Sequence, residues 1–427
     1  MNRAARSGMT LVEMLVATTM TLIIMGVVAQ LFGFLALTLS RSRDTIEMSA
    51  DVRSVANLLR RDLSGLTVKT VPPTSADADS GYLEIIEGSA TDKSGGFSQL
   101  TGDCDDILML TTRSLDQPFV GRFGSSGLIE SPVAEVVWYC RQSPSAYQTV
   151  AGSTLYTLYR RQLLVMDYVG QTPFETSGLN SYRSSNVQSA IQDYDLSLRN
   201  AYMTSSPAGG NVESLRPNTL ADLSRREWRI LHHPSISLSG TPATVLSSTT
   251  FPYNATAANL AAYGPLTGNR QGEDIVLTNV LAFDIRVFDP RVPLNDTGVT
   301  AVDPGDPRYN SGSAAGVNGA YVDLGSGAAA TTLMGAAAAK SKLTGIYDTW
   351  STHYEFNGID DDNSGVADQG TNGLDDNSNG IVDDATEQET APPYPVALRG
   401  IEIRLRVYEP SSRQVRQVTV RHTFVPH

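Results

Sequence analysis

The sequence is poor in the residues on which many catalytic and nucleic-acid-binding sites depend. Its five histidines include a single adjacent pair, and neither an HExxH nor a GxSxG motif occurs, which excludes zinc-peptidase and serine-hydrolase sites of those types. The 32 lysines and arginines are outnumbered by 45 aspartates and glutamates. Because binding to phosphates depends on basic side chains, the formal net charge of −13 argues against nucleic acid as a partner. We therefore predict a protein that is not an enzyme and binds no nucleic acid.

Cysteine is scarcer still, with only Cys104 and Cys140 in 427 residues. Two cysteines permit at most one internal disulfide, which matters only in an oxidising compartment. Cys104 stands just before one predicted strand (residues 106–113), and Cys140 stands at the end of another (133–141). If these strands pair antiparallel, the start of one lies beside the end of the other, so a disulfide between Cys104 and Cys140 is geometrically reasonable. Two unpaired thiols are the alternative.

Charge is almost missing from the N-terminal region, where Glu13 is the only charged side chain between Met9 and Ser40. Arg3 and Arg6 precede this apolar run, as in a signal whose basic end stays in the cytoplasm, but no small-x-small cleavage site follows. As a helix, these 32 residues span about 48 Å at ~1.5 Å per residue, which exceeds the ~30 Å hydrocarbon core. The run predicts a single-pass membrane helix, residues 9–40, that continues beyond the bilayer.

Apolar periodicity extends this helix past the membrane. Side chains spaced by three or four residues would form one apolar face, and they are Val52, Val55, Ala56, Leu59, Leu63 and Leu66. Gly65 followed by Pro72 and Pro73 provides a stop signal. We predict an amphipathic helix over residues 41–71 whose apolar face packs on the domain that follows, residues 72–427.

That domain shows the pattern of short strands joined by long polar connections. Strand-like stretches cover residues 106–113, 133–141, 154–165, 275–290, 398–410 and 416–425. Ile401 and Ile403 alternate with Glu402 and Arg404, which fits an antiparallel sheet with one wet face. A long helix followed by antiparallel strands predicts an α+β fold. Two long insertions lie at about 168–272 and 291–390, and the first, which is rich in polar residues, is predicted to be decoration with a helix near residues 220–231.

Lysine and arginine are missing from residues 354–390, which hold eleven acidic side chains in a duplicated pattern. NGIDDDNSGVAD, from Asn357, is echoed fifteen residues later by NGLDDNSNGIVD, from Asn372. Each copy fits D-x-[DN]-x-[DNS]-G, the first half of an EF-hand-type calcium loop. Thr371 and Thr386 occupy the positions where a full loop has its closing glutamate.

We infer two shortened calcium loops within residues 357–387, in which side-chain oxygens and one carbonyl converge on a structural ion. The predicted ligands of the first loop are Asp360, Asp362, Ser364, the Val366 carbonyl and Asp368. Those of the second loop are Asp375, Asn377, Asn379, the Ile381 carbonyl and Asp383, with Glu387 as a further candidate. A disordered acidic linker is the alternative reading of the same residues.

The N-terminal stretch SGMTLVEMLVA resembles the class III signal of type IV pilins and type II secretion pseudopilins. The resemblance implies that prepilin peptidase cleaves between Gly8 and Met9 and methylates the new amine of Met9. A lone carboxylate in hydrocarbon costs about 2.5–3.5 kcal/mol on insertion scales, so it is normally paired or functional. By the same resemblance, Glu13 would be paired with the amine of a neighbouring subunit in a helical filament. A glutamate that reaches the interface of an ordinary signal anchor is the alternative.

Further pieces, LLRRDLSGL, LMLTTR, VAEVVWY, VLAFDIRVFD and PVALRGIEIRLRVYE, come in an order similar to that of the J-type minor pseudopilins, with W-type minor pilins as near relatives. This resemblance implies a pseudopilin fold and a subunit of the type II secretion pseudopilus. Its implied partners are the major pseudopilin, the I- and K-type minor pseudopilins, prepilin peptidase and the bacterial inner membrane. The C-terminal domain would lie in the periplasm.

Two alternatives to this function stay open. The first is a minor type IV pilin that serves adhesion or DNA uptake. The second is a signal-anchored periplasmic enzyme or ligand-binding protein, because Gly325-x-Gly327-x-x-Ala330 and Asp348 imitate a dinucleotide fingerprint. No further βαβ pattern surrounds that motif, so a flexible Gly/Ala loop is the plainer reading.

Overall fold

The computed structural model describes residues 9–88, 102–124, 127–143, 149–150, 153–166, 187–203, 212–232, 260, 264–296, 301–302, 314–324, 343 and 345–424. Two sites named from the sequence, Gly8 and the glycine motif from Gly325 to Ala330, lie outside these residues.

One helix, α1 (Leu11–Ser64), carries the N-terminal region and is 54 residues long, about 81 Å at ~1.5 Å per residue. Every residue from 9 to 43 is exposed, and this part of the helix is long and apolar enough to cross a membrane. The helix ends at Ser64, where the Gly65 N–H bonds to the Arg61 carbonyl at 3.0 Å. The stop signal at Gly65 is therefore confirmed, but the predicted extension of the amphipathic helix to residue 71 is wrong, because residues 65–71 lie beyond the end of α1.

The second half of α1 is amphipathic, as the spacing predicts. Its buried side chains are Met48, Val52, Val55, Ala56, Leu59, Asp62 and Leu63. All of them except Asp62 join the main hydrophobic core of the β-rich domain, where α1 packs on the sheet. The apolar ones recur every three or four positions, so they share one helix face and are removed from water together.

The strands of the described residues are β1 (Leu83–Ile86), β2 (Ile107–Arg113), β3 (Phe119–Phe123), β4 (Gly127–Ser131), β5 (Val133–Gln142), β6 (Thr149–Val150), β7 (Ser153–Thr154), β8 (Tyr156–Leu164), β9 (Leu198–Met203), β10 (Val212–Pro217), β11 (Ile275–Asp296), β12 (Ala301–Val302), β13 (Ala314–Val322), β14 (Ile346–Asp348), β15 (Gly400–Glu409) and β16 (Gln414–Thr423). Short α-helices cover Val187–Asp193 and Leu220–Leu223, and 3-10 turns cover Ala76–Ala78, Arg226–Trp228, Gly268–Arg270 and Thr352–Glu355.

Ten of these strands form one antiparallel sheet in the order β14-β1-β2-β5-β8-β11-β15-β16, with β12 and β13 also paired to β11. Neighbours along this order pair antiparallel throughout. The predicted α+β class, a long helix on an antiparallel sheet, is confirmed. Three smaller antiparallel pairs, β3 with β4, β6 with β7 and β9 with β10, accompany the sheet.

The alternation along β15 is confirmed for its apolar residues but is wrong for Glu402. Ile401 and Ile403 are fully buried, as expected of the inner face. Glu402, assigned to the wet face, is also fully buried, because it lies 2.7 Å from Arg404 and 2.5 Å from Arg421. These two arginines cover the carboxylate and balance its charge.

Both insertions contribute to the interior rather than only decorating the surface. Strands β13 and β14 come from the second insertion, and β14 pairs with β1 at the end of the main sheet. From the first insertion, Arg226 and Arg229 are fully buried. Arg229 lies 2.8 Å from Glu84 of β1 and 2.7 Å from Asp348 of β14. The helix predicted near residues 220–231 is a single α-helical turn followed by a 3-10 turn.

Candidate functional site

A reciprocal cap between Thr10 and Glu13 begins helix α1. The Thr10 hydroxyl accepts a hydrogen bond from the Glu13 N–H at 3.3 Å. Glu13 Oε2 in turn accepts bonds from the Thr10 N–H and from its hydroxyl, both at 2.9 Å. This capping box satisfies amides that the start of a helix leaves without partners, so Glu13 has a local role in the single chain that its isolation in the sequence did not indicate. Met9 lies exposed just before the cap.

Asp62 joins the end of α1 to the sheet. It accepts a hydrogen bond from Trp138 Nε1 of β5 at 2.8 Å and forms a two-pronged ion pair with Arg160 of β8, also at 2.8 Å. All three side chains are buried or nearly so. In the sequence Asp62 lies among charged residues next to Arg60 and Arg61, and nothing in that pattern marked it as a contact between helix and sheet.

Cys104 and Cys140 are both buried and are present as thiols. Strands β2 and β5 pair antiparallel, with Ile107 opposite Tyr139, so the pairing on which the predicted disulfide depends is confirmed. Burial raises the pKa of the Cys140 thiol, and the hydrogen bond between the two cysteine side chains raises it further. The structure thus brings the two side chains together, and the disulfide itself stays a prediction.

The two acidic repeats have the same backbone conformation. Left-handed residues recur at matched positions, and the pairs are Gly358 and Gly373 (φ 77° and 82°), Asn363 and Ser378 (62° and 59°), Gly365 and Gly380 (98° and 89°), and Asp368 and Asp383 (52° and 53°). Because L side chains rarely adopt positive φ, four shared positions indicate one loop design used twice rather than a structureless linker.

The first aspartate of each repeat holds the turn in the same way. Asp360 accepts hydrogen bonds from the backbone N–H groups of Ser364 and Gly365 at 3.0 and 2.8 Å. Asp375 accepts bonds from the two equivalent amides at the same distances. Asx-type bonds of this kind fold the loop around the carboxylate.

The last aspartate of each repeat binds the turn at the start of that repeat. Asp368 accepts hydrogen bonds from the Gly358 N–H at 2.9 and 3.1 Å, and Asp383 accepts one from the Gly373 N–H at 2.9 Å. Each therefore ties the end of its repeat to the turn at the start. The Ser364 hydroxyl, another predicted ligand, donates to the Val366 carbonyl at 3.3 Å.

In the first loop, a residue from beyond the repeats joins two of the predicted ligands. Asp360, Asp362 and Glu389 each offer one carboxylate oxygen, and these three oxygens lie within 4.8 Å of one another. Asp362 also accepts hydrogen bonds from the Ser364 N–H and from Gln369 Nε2, both at 2.8 Å. Glu389 was not predicted from the sequence, because it lies outside the repeated pattern.

Glu389 is 1% exposed. Its Oε2 accepts a hydrogen bond from the Asp361 N–H at 3.2 Å, whereas Oε1 is buried and makes no hydrogen bond of good geometry to any described residue. Burial raises the pKa of Glu389 to about 7; the charges of Asp361 and Asp362 add to the shift, and the backbone amides of Asp361 and Asp368 oppose it.

The second loop has its own buried glutamate, Glu387, but both oxygens of that carboxylate are satisfied. Oε1 accepts a hydrogen bond from the Asn377 N–H at 3.0 Å, and Oε2 accepts one from the Asp384 N–H at 3.2 Å. The predicted ligand Asn379 donates from Nδ2 to Asp384 at 2.5 Å, and its Oδ1 accepts the Ile381 N–H at 2.8 Å. The two loops therefore differ in their buried glutamates: both carboxylate oxygens of Glu387 accept hydrogen bonds, whereas only Oε2 of Glu389 does so with good geometry.

The acidic segment is anchored to the domain next to Glu389. The buried carboxylate of Glu355 accepts hydrogen bonds from the backbone N–H groups of Glu389 and Thr390 at 2.9 and 3.0 Å. The Thr390 hydroxyl accepts a bond from Trp350 Nε1 at 3.2 Å, and Trp350 packs in a small apolar cluster with Tyr354. Movement at Glu389 is therefore restrained by the packed interior.

A second group of carboxylates lies where β1 ends and β2 begins. Glu87, Asp103 and Asp106 each place one oxygen within 4.8 Å of the others. Asp106 accepts hydrogen bonds from the N–H groups of Gly88 and Ile285, at 3.2 and 2.7 Å. Antiparallel pairing of Ile86 with Ile107 brings Glu87 close to Asp103 and Asp106, which lie 16 and 19 residues later in the sequence. No sequence motif indicated this group.

No family model, no curated protein and no solved structure matches the chain.

Proposed function

We propose that this chain is a minor pseudopilin, a structural and assembly subunit of the periplasmic pseudopilus of a type II secretion system. The single observation that carries the proposal is the first half of α1. From residue 9 to residue 43 every side chain is exposed, and from Met9 to Ser40 the only charge is Glu13. The resemblance of SGMTLVEMLVA to the class III signal supports the same reading.

An exposed apolar helix of this length needs a nonpolar environment, because its surface gains free energy on leaving water. A bilayer supplies that environment before assembly, and the helices of neighbouring subunits supply it in a filament. The second half of α1 is packed on the sheet and anchored by Asp62, so the domain stands at the end of a rigid rod. This is the arrangement that a filament subunit needs, with its helix in the filament core and its domain outside.

Glu13 is the residue that separates a filament subunit from a simple anchor in this proposal. Its partner in the single chain, Thr10, supplies hydrogen bonds but no positive charge. Cleavage after Gly8 by prepilin peptidase would create a methylated amine on Met9. That amine, on an adjacent subunit, is the cation that would pair with Glu13 and offset its cost of about 2.5–3.5 kcal/mol in hydrocarbon.

The proposal places the chain in the bacterial inner membrane as a single-pass protein with its C-terminal domain in the periplasm. Its partners would be the major pseudopilin and the other minor pseudopilins. The periplasm is oxidising, which is the setting in which the neighbouring Cys104 and Cys140 would form their disulfide.

The experiment uses two variants, Gly8→Val and Glu13→Ala, expressed in the source organism in place of the wild-type chain. Gly8→Val is expected to retain the leader, because the side chain at the cut would obstruct the peptidase. Glu13→Ala is expected to be cleaved but to fail in co-purification with the other pseudopilins and to reduce secretion about tenfold or more. Glu47→Ala, at an exposed carboxylate on the same helix, is the matched control and should behave as wild type.

Normal processing and normal assembly of both variants would overturn the proposal. Loss of pilus-dependent adhesion or DNA uptake, with secretion unchanged, would assign the chain to the minor type IV pilins instead. Tight nucleotide binding by the purified chain would favour the signal-anchored enzyme or ligand-binding protein.

A further inference from the structure

We propose that the first acidic loop is a calcium site whose ligands are Asp360, Asp362 and Glu389, and that the second loop is at most a weaker site. The inference does not depend on the filament role, since it concerns only the acidic segment. It differs from the pattern in the sequence, which treats both loops alike and closes the first with Asp368.

The spacing of the three carboxylates fits one ion. Calcium binds oxygen at about 2.3–2.6 Å, so two ligand oxygens on opposite sides of the ion are separated by about 5 Å or less. Single oxygens of Asp360, Asp362 and Glu389 all lie within 4.8 Å of one another. Asp360 and Asp362 are half-buried, which leaves a side open for the ion to enter and for water to complete its coordination.

Glu389 provides independent evidence for a cation. Its side chain is 1% exposed, and its Oε1 makes no hydrogen bond of good geometry to any described residue. Buried carboxylate oxygens are normally paired, because leaving one without a partner forfeits its hydration. A cation bound among the three carboxylates would supply that partner.

The sequence around the site contains no alternative cation. Residues 354–390 include no lysine, arginine or histidine, and His353 lies just before them. The charged side chains of residues 354–390 are therefore all carboxylates. Carboxylate oxygens without nitrogen or sulfur ligands favour calcium or magnesium over zinc and copper. The irregular loop favours calcium, because magnesium requires a near-octahedral shell and retains more of its water.

The second loop is the internal comparison. It has Asn377 where the first has Asp362, so it offers one fewer negative charge. Its buried glutamate, Glu387, already accepts one backbone hydrogen bond on each oxygen. Calcium affinity rises with the number of charged ligands, so this loop should bind less tightly.

Occupancy of the first loop would tie the acidic segment to the domain. Glu389 lies beside Thr390, which is held by Glu355 and Trp350 in the packed interior. An ion shared by Asp360, Asp362 and Glu389 would therefore connect the start of the repeats to the residue that follows them, and so close residues 360–389 into one ordered unit.

The test is isothermal titration of the full chain in detergent micelles, after chelation and dialysis, with calcium chloride and separately with magnesium chloride. The wild type is expected to show one dominant calcium site with a dissociation constant on the order of 10⁻⁴–10⁻³ M, and weaker magnesium binding. Glu389→Gln and Asp362→Asn should each weaken calcium binding at least about tenfold, because each removes a charged ligand without removing bulk.

Glu387→Gln is the matched control in the second loop and should change the dissociation constant by no more than about twofold. Circular dichroism without calcium should be unchanged in every variant; if Glu389→Gln fails to fold, Asp362→Asn, at a half-buried position, still decides the result. Absence of binding heat in the wild type at millimolar calcium would overturn the proposal. Equal weakening by Glu387→Gln and Glu389→Gln would also overturn it, since the acidic segment would then attract calcium only diffusely.

Discussion

Three carboxyl groups that meet between strands, those of Glu87, Asp103 and Asp106, have pKa values raised far above the usual range of a carboxyl group. Burial raises the pKa of Glu87 to about 11 and that of Asp103 to about 10, and neighbouring carboxylates add to both shifts. Burial also raises the pKa of Asp106 well above its usual range. The pKa values of Glu87 and Asp103 lie above neutrality, so these two carboxyls hold protons at pH 7, which limits the negative charge in the interior.

Glu87 should make the free energy of unfolding depend measurably on pH. Its pKa is raised on folding from 4.5, so the folded chain holds a proton that the unfolded chain releases, and stability falls as pH rises from about 4.5 toward about 11. Glu87→Gln should remove part of the loss of unfolding free energy between about pH 5 and pH 9, measured by urea titration with a chelator present. Glu47→Gln, exposed on α1, should leave the loss unchanged. A loss in Glu87→Gln equal to that of the wild type would contradict the assignment.

At the scale of elements, the contact between α1 and the sheet combines a part visible in the sequence with a part that is not. Val52, Val55, Leu59 and Leu63 are buried as their spacing predicts, because helix periodicity is a local property. Asp62 is also buried, and its partners Trp138 and Arg160 are 76 and 98 residues away. No local pattern contains information about partners at that distance.

Removing the Asp62 side chain should loosen the helix from the sheet. Asp62→Ala leaves the Arg160 guanidinium and the Trp138 N–H buried without their acceptor, which should reduce the free energy of unfolding by about 3–5 kcal/mol. Asp51→Ala, at an exposed carboxylate on the same helix, should change it by less than about 0.5 kcal/mol. Urea unfolding of the full chain in detergent, followed by tryptophan fluorescence, measures both values. Similar values for the two variants would show that Asp62 does not anchor α1.

Strand β15 also shows that local sequence patterns do not predict contacts with residues far along the chain. Its inner residues Ile401 and Ile403 were predicted from alternation, which is local. The burial of Glu402 depends on Arg421 of β16, 19 residues later, whose side chain covers it across the strand pair. A charged residue on the outer face of a strand is therefore exposed only if no side chain of a neighbouring strand covers it.

At the scale of the whole molecule, the α+β class was predictable and the assembly of its interior was not. The amphipathic helix and the antiparallel strands follow from two local periodicities, 3.6 and 2. The ion pair between Arg229 and Asp348 joins the two insertions across 119 residues, and both residues stand in stretches rich in polar or small side chains. The first insertion was therefore predicted to be decoration, although it supplies buried charge and the second supplies strands of the main sheet.

The acidic segment contains one part that the sequence predicts and one part that depends on distant contacts. Its repeat revealed Asp360 and Asp362, because a duplicated spacing is visible in one dimension. Glu389 was not predicted, since its approach to the loop depends on how Glu355 and Trp350 hold the chain at residues 389–390. Of the three clustered carboxylates, the two within the repeat were thus predictable from the sequence, and the third was not.

If this chain is a processed filament subunit, its N-terminus in the membrane differs from the N-terminus encoded by the sequence. The chain would be extracted from membranes of cells that contain prepilin peptidase, and its mass and N-terminal peptide would be determined by tandem mass spectrometry. A processed subunit begins at N-methylated Met9, with residues 1–8 removed. A chain that retains Met1, or that begins at any residue other than Met9, would contradict the proposed filament role.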